Sequence, residues 1–207
     1  MSPPADFTLW PIADAERYGF LPLHGGLSDA EVGTAVASIA DRNAATPEGD
    51  VQPPTGAGSI GDFLHGLLTL DCVYVQGGLR ITDTATGVTL LPGCCNGLEE
   101  RGEWRYLLDG DGWASFGHDP SPLAERRGDI VRLTVDADMA NSPVIELPVD
   151  ELRRLLADAE QDLTDFLRLA TTWATRHLSD RASEVTAALA RGLLVDTGVV
   201  PLAPPVS

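Results

Sequence analysis

The spacing of apolar positions changes twice along the chain and divides it into a helical part, a sheet and a closing helical part. Val32, Ala35, Val36, Ile39 and Ala40 recur at steps of three, four and one. They follow Ser28-Asp29-Ala30-Glu31, where an N-cap hydroxyl and a carboxylate three residues on form a capping box, and this predicts a helix over 29–42. Ile60, Phe63, Leu64, Leu67 and Leu68 predict a second helix to Leu70, weakened by Gly66. Between them, residues 43–61 carry Pro47, Pro53, Pro54 and four glycines, the composition of a flexible loop.

From Cys72 the period is two. Val73 and Val75 flank Tyr74, Leu79 and Ile81 alternate with Arg80 and Thr82, and 88–91 follows a Thr84-Ala85-Thr86-Gly87 turn, so a hairpin or meander is expected. Residues 104–108 predict a short helix, and 113–117, 130–135 and 144–147 three further strands. After Pro148 the period returns to 3.6. Leu152, Leu155, Leu156, Ala159, Leu163, Phe166, Leu167 and Ala170 begin a stripe that runs to Leu178 over about seven turns, with Asp150 as the cap. Leu156, Leu163 and Phe166, in mid-stripe, are expected in the core. A last helix from Asp180 shows Ala182, Val185, Leu189 and Leu193 on one face, and residues 200–207, with Pro201, Pro204 and Pro205, read as a disordered tail.

These elements predict one α+β domain over 1–207. An antiparallel sheet from 72–147 carries an N-terminal helical segment and a long C-terminal amphipathic helix packed on it. The composition, 43% hydrophobic and 22% charged, agrees with a globular chain and excludes collagen, coiled coil and wholesale disorder.

Charge changes the functional picture more than the fold. Acidic residues number 31 against 14 basic ones, all of them Arg, for a net charge of −17. With no Lys, Schiff-base and P-loop lysine chemistry are excluded. Phosphate backbones are repelled, so no nucleic-acid partner is expected, whereas a basic protein partner suits the field. Residues 1–75 hold 10 acidic and 2 basic side chains, which makes Asp29, Glu31 and Asp41 the candidate partner-binding residues. The N-terminus lacks a basic stretch and no apolar run is long enough for a membrane span, so a cytoplasmic protein without membrane association is expected. Three cysteines, two of them adjacent, do not make a disulfide framework and are expected reduced.

Several motifs fail on context. Gly56-Ala57-Gly58-Ser59-Ile60-Gly61 matches G-x-G-x-x-G and overlaps a nucleophile-elbow variant, but Asp50-Val51-Gln52-Pro53-Pro54-Thr55 before it cannot be the buried strand either motif needs. Asp109-Gly110-Asp111-Gly112-Trp113 begins like a calcium loop, yet Trp113 and Pro120 stand at ligand positions. His65 and His177 read as packing or surface residues, and His24 as part of a turn. One soft-ligand group remains: Cys94 and Cys95, with Cys72 and with His118-Asp119, in which Asp119 could support His118. No C-x-x-C spacing is present, and adjacent cysteines at a strand end point to opposite faces. Hence no metal and no cofactor are expected, and a thiol nucleophile at Cys94 or Cys95 with His118 is the catalytic candidate.

Val75-Gln76-Gly77-Gly78, Trp113-Ala114-Ser115-Phe116-Gly117-His118-Asp119, Gly128-Asp129-Ile130-Val131-Arg132-Leu133 and the closing helix through Phe166-Leu167 resemble, in their order, the SUKH superfamily of bacterial immunity proteins. The resemblance covers about residues 70–168 and lacks that family's leucine-proline helix before the Gly-Gly turn. It implies an α+β fold with a central sheet and a role in binding and neutralising a toxin. The Arg-only, Ala- and Gly-rich text also resembles high-GC actinobacterial proteins. The first expectation is therefore a non-enzymatic acidic interaction module, an immunity-like inhibitor of a basic partner. The alternative is a small thiol- or metal-dependent hydrolase built on Cys94, Cys95, His118 and Asp119, and convergence of those side chains discriminates the two.

Overall fold

The computed structural model describes residues 7–16, 19–44, 59–109 and 112–195. They form a mixed α+β structure with two four-stranded antiparallel sheets rather than one. The first has the order β2-β1-β3-β4, from β1 (Phe7–Glu16), β2 (Gly19–Pro22), β3 (Gly77–Asp83) and β4 (Thr89–Leu90). The second runs β5-β6-β7-β8, from β5 (Trp113–Ser115), β6 (Leu123–Arg127), β7 (Ile130–Thr134) and β8 (Val144–Pro148). The helices are α1 (Asp29–Ala44), α2 (Ser59–Thr69), α3 (Glu103–Asp109), α4 (Val149–His177) and α5 (Ala182–Gly192), with 3-10 turns at Leu98–Gly102 and Ser179–Arg181. Among the described residues no helix is long and apolar enough to cross a membrane.

The N-terminus corrects the expected helical start, because β1 and β2 precede α1 and β1 is central to its sheet. Pro11 lies within β1 opposite Leu79. Its carbonyl accepts the Leu23 N–H over 2.8 Å, and nitrogen and oxygen of a strand residue face the same side. The missing N–H of Pro11 therefore points just past the end of β2 at Pro22 and removes no ladder bond. β6 also departs from the expectation. Only Ala124 of its five residues is buried, so it shows little apolar alternation, while the Arg126 guanidinium crosses to donate to Leu108 O. Conversely, 73–75 has a period of two without being a strand.

Capping behaves as the sequence implies at α1. Ser28 Oγ and N–H both donate to Glu31 Oε2, at 2.6 and 2.8 Å. The helix runs on through Asn43 and Ala44, and α2 begins at Ser59, so both ends of the expected 43–61 loop are helical. Residues 45–58 and the expected tail at 200–207 lie outside the described residues. Gly66 lets α2 cross α1 closely: a Cβ there would stand 2.0 Å from Asn43 O.

α4 spans 29 residues and carries the core. Its N-cap is Pro148 with no side-chain cap bond; Asp150 instead joins Glu151 in the first turn, while Arg176 and His177 occupy the last, charges that oppose the helix dipole. Leu152, Leu155, Ala159, Leu163, Phe166, Leu167 and Ala170 are buried against β7, β8, β1, α1 and α5. Leu163 and Phe166 are core residues as expected, whereas Leu156 is only partly buried, at the mouth of a cleft beside α3.

Candidate functional site

The segment that leaves the first sheet after β4 meets the segment that follows β5, and this seam between the sheets builds the site. Gly93 N–H donates to Phe116 O over 2.8 Å, Cys94 N–H to His118 O over 2.5 Å, and His118 N–H to Cys94 O over 3.3 Å. The last two make an isolated antiparallel bridge. Gly93 is required for this approach, since a Cβ would fall 2.3 Å from Pro120 O and 2.4 Å from His118 N. Phe116 is fixed from beneath by the buried Trp104, stacked at 4.2 Å with planes 10° apart. Asn96, 2% exposed, ties the other strand down by donating to Gly77 O over 2.8 Å.

Cys95 corrects the expectation that the adjacent thiols diverge. Its φ of 63° places it in the left-handed region, where extended alternation no longer applies. Both sulfurs then fall on one side, with Sγ–Sγ 3.4 Å. Cys94, Cys95 and His118 each present one donor atom within 4.8 Å of the others, and all three residues are exposed. Asp119, also left-handed at φ 52°, sets its Oδ2 3.3 Å from His118 Nδ1. Left-handed non-glycine residues are uncommon and cost about 1–3 kcal/mol each, and here one, Cys95, belongs to the cluster and the other, Asp119, adjoins it. Cys72 is exposed and takes no part in it.

Electrostatics around the cluster involve residues the sequence did not single out. The hydrogen bond and charge of Cys94 hold the Cys95 thiol proton above the ordinary range, with Arg42 opposing and Glu100 adding to the effect. Burial pushes the Tyr74 hydroxyl up to about 12, helped by the charges of Glu99, Cys95 and Glu100. Burial likewise raises the Glu99 and Glu100 carboxyls. Glu99 Oε2 is buried with no hydrogen-bond partner among the described residues, and Tyr74 Oη donates to Asn96 O over 3.0 Å. Of this surround, the sequence displays only the Glu99-Glu100 doublet two residues after Asn96-Gly97; Arg42 and Tyr74 arrive from α1 and from the turn before β3.

The acidic candidates lie elsewhere. Glu31 is taken up by the capping box, and its bonds from Ser28 hold its carboxyl below the usual range. Asp29 binds Arg176 at 2.9 Å and His177 at 2.8 Å, joining α1 to the end of α4. Asp41 is exposed on α1. His24 accepts the Gly26 N–H over 3.0 Å within its turn.

Compared with protein-family models, with curated proteins and with solved structures, the chain has no match.

Proposed function

We propose that the protein works through a zinc-class cation held by Cys94, Cys95 and His118, which is the metal-dependent form of the alternative drawn from the sequence. The carrying observation is the convergence of two thiols and an imidazole within 4.8 Å. A tetrahedral centre with sulfur at ~2.3 Å separates its sulfurs by about 3.8 Å. The 3.4 Å between Cys94 and Cys95 is already close to that value, so only the imidazole has to move inward. Two thiolates so near each other repel, and a divalent cation relieves the repulsion. Asp119 at His118 Nδ1 supplies the carboxylate partner that fixes a ligating histidine's tautomer.

Structural zinc sites use four protein ligands, and catalytic ones keep a position open. Three ligands on an exposed surface therefore favour a site that exchanges a water or a substrate over one that merely clips the fold. A bare thiol nucleophile at Cys95 is less well supported, because an activated cysteine needs a lowered pKa and that of Cys95 is raised by its neighbour Cys94. The acidic interaction module, whether or not immunity-like, rests on overall charge: two of its three candidate residues, Asp29 and Glu31, already have internal partners.

Cobalt(II) titration of the reduced protein tests the reading. The expected result is one equivalent bound in a tetrahedral visible spectrum with a sulfur-to-metal charge-transfer band, displaced by zinc. The band is halved in Cys94→Ser or Cys95→Ser and retained in Cys72→Ser. A spectrum indifferent to Cys94 and Cys95, or one abolished by Cys72→Ser, overturns it.

A further inference from the structure

A concavity lies between α3 and α4, apart from the thiol site. It encloses about 350 Å³, at the small end of ligand pockets. Its apolar lining includes Leu79, Leu108 and Leu156, and three of the chain's 14 arginines, Arg101, Arg105 and Arg153, stand around it, with Glu160 and Asp109 as the counter-charges among the described residues of the lining. A locally cationic cleft in a chain of net charge −17 has to be accounted for.

The three arginines are not equivalent. Arg101 is committed to the fold: it is nearly buried, grips both Glu160 oxygens at 3.1 and 3.2 Å, and donates to Leu98 O and Leu194 O. Arg105 is 73% exposed, and its one hydrogen bond among the described residues, 3.4 Å long, goes to the Glu160 Oε1 that Arg101 already holds. Arg153 uses a single nitrogen, Nη2, for Leu108 O and Asp109 Oδ1. The Nε and Nη1 donors of Arg105 and Arg153 make no hydrogen bond among the described residues. One arginine belongs to α3 and the other to α4. Leu156, on the apolar stripe of α4, is only partly buried and lines the cleft at the same place.

We infer that this cleft binds a small organic anion, with its acid group held between Arg105 and Arg153 and its apolar body on Leu79, Leu108 and Leu156. Guanidinium groups suit both carboxylate and phosphate because each presents paired donors in a plane. The apolar floor selects an anion with a hydrocarbon body over an inorganic one.

Calorimetric titration of the full chain with octanoate, phenyl phosphate, inorganic phosphate and octanol tests the inference. Saturable single-site binding of octanoate or phenyl phosphate is expected, the better of the two identifying the acid group. Inorganic phosphate and octanol should bind about tenfold more weakly or not at all. Arg105→Ala, at an exposed position, should weaken binding several-fold, and the Arg105→Ala/Arg153→Ala pair about tenfold or more, with Cys94→Ser unchanged. Failure of both organic anions to bind at millimolar concentration, affinity unchanged in the arginine variants, or octanol or inorganic phosphate binding as tightly, overturns it.

Discussion

Asn43, in the last turn of α1, treats Tyr74 as a neighbouring strand would: its Nδ2 donates to Tyr74 O over 2.8 Å and its Oδ1 accepts the Tyr74 N–H over 2.9 Å. The same Nδ2 also donates to Ile39 O over 2.7 Å, so this buried amide is satisfied on both ends. One side chain thus supplies the pairing that a β-ladder would give residue 74. It also fixes Tyr74, whose hydroxyl stands in the charged surround of Cys95.

Asn43→Ala should destabilise the protein by ~1–3 kcal/mol, because it leaves the Tyr74 N–H and carbonyl without partners. Denaturant unfolding of the variant measures this. A loss of a few tenths of a kcal/mol would show that water replaces the amide freely.

Leu163→Ala removes a side chain with no exposed surface from the middle of α4, and a loss of ~2–5 kcal/mol is expected from the cavity it leaves. Leu156→Ala, at the cleft mouth, should cost clearly less in the same unfolding experiment. Equal losses would contradict the half-open packing there.

Gly93→Ala drives a methyl group into Pro120 O and His118 N. Forcing the seam apart should cost ~1–3 kcal/mol and weaken metal binding together with it. A variant as stable and as metal-competent as the parent would show that the two segments do not have to touch.

The capping box makes stability depend on pH with a defined sign. Hydrogen bonds from Ser28 lower the Glu31 pKa below its ordinary 4.5, so the associated stability is present above that value and is lost as pH falls through the lowered pKa in the fold. Glu31→Gln should therefore be less stable than the parent near neutrality, with the gap closing in acid. A gap that stays constant between pH 7 and pH 3, followed by thermal unfolding, would mean that the carboxylate charge plays no part.

Metal affinity should fall steeply with acidity, because Cys94 and Cys95 must give up their protons to the cation. Release of two thiol protons corresponds to about 100-fold in apparent affinity per pH unit below the thiol range. Bound metal should in turn stabilise the fold, by ~2.7 kcal/mol at a free concentration 100 times Kd. Cobalt titrations at two pH values check the slope, and a flat profile would exclude thiolate ligation.

Periodicity alone determined the helices. Every long helical stripe in the sequence became a helix, because a 3.6-residue repeat of Val, Leu and Ala has one way to bury its face. Ser28 and Glu31 likewise announced the start of α1, since a capping box is made within four residues. The antiparallel character of the sheet followed from strands joined by short polar turns. What sequence could not decide was pairing over distance. β1 was hidden by Pro11, which is harmless only because β2 stops one residue short of it; β6 was hidden because Ala124 is its one buried residue; and Val73 to Val75 alternate beside a side chain instead of a strand. The candidate site shows the same division. Cys94, Cys95, His118 and Asp119 were legible as residues, but alternation argued that the two thiols diverge. The left-handed turn at Cys95, next to the bridge between Cys94 and His118, brings both sulfurs to one side. His118 joins the thiols from a segment more than 20 residues away, and local spacing carries no trace of that contact.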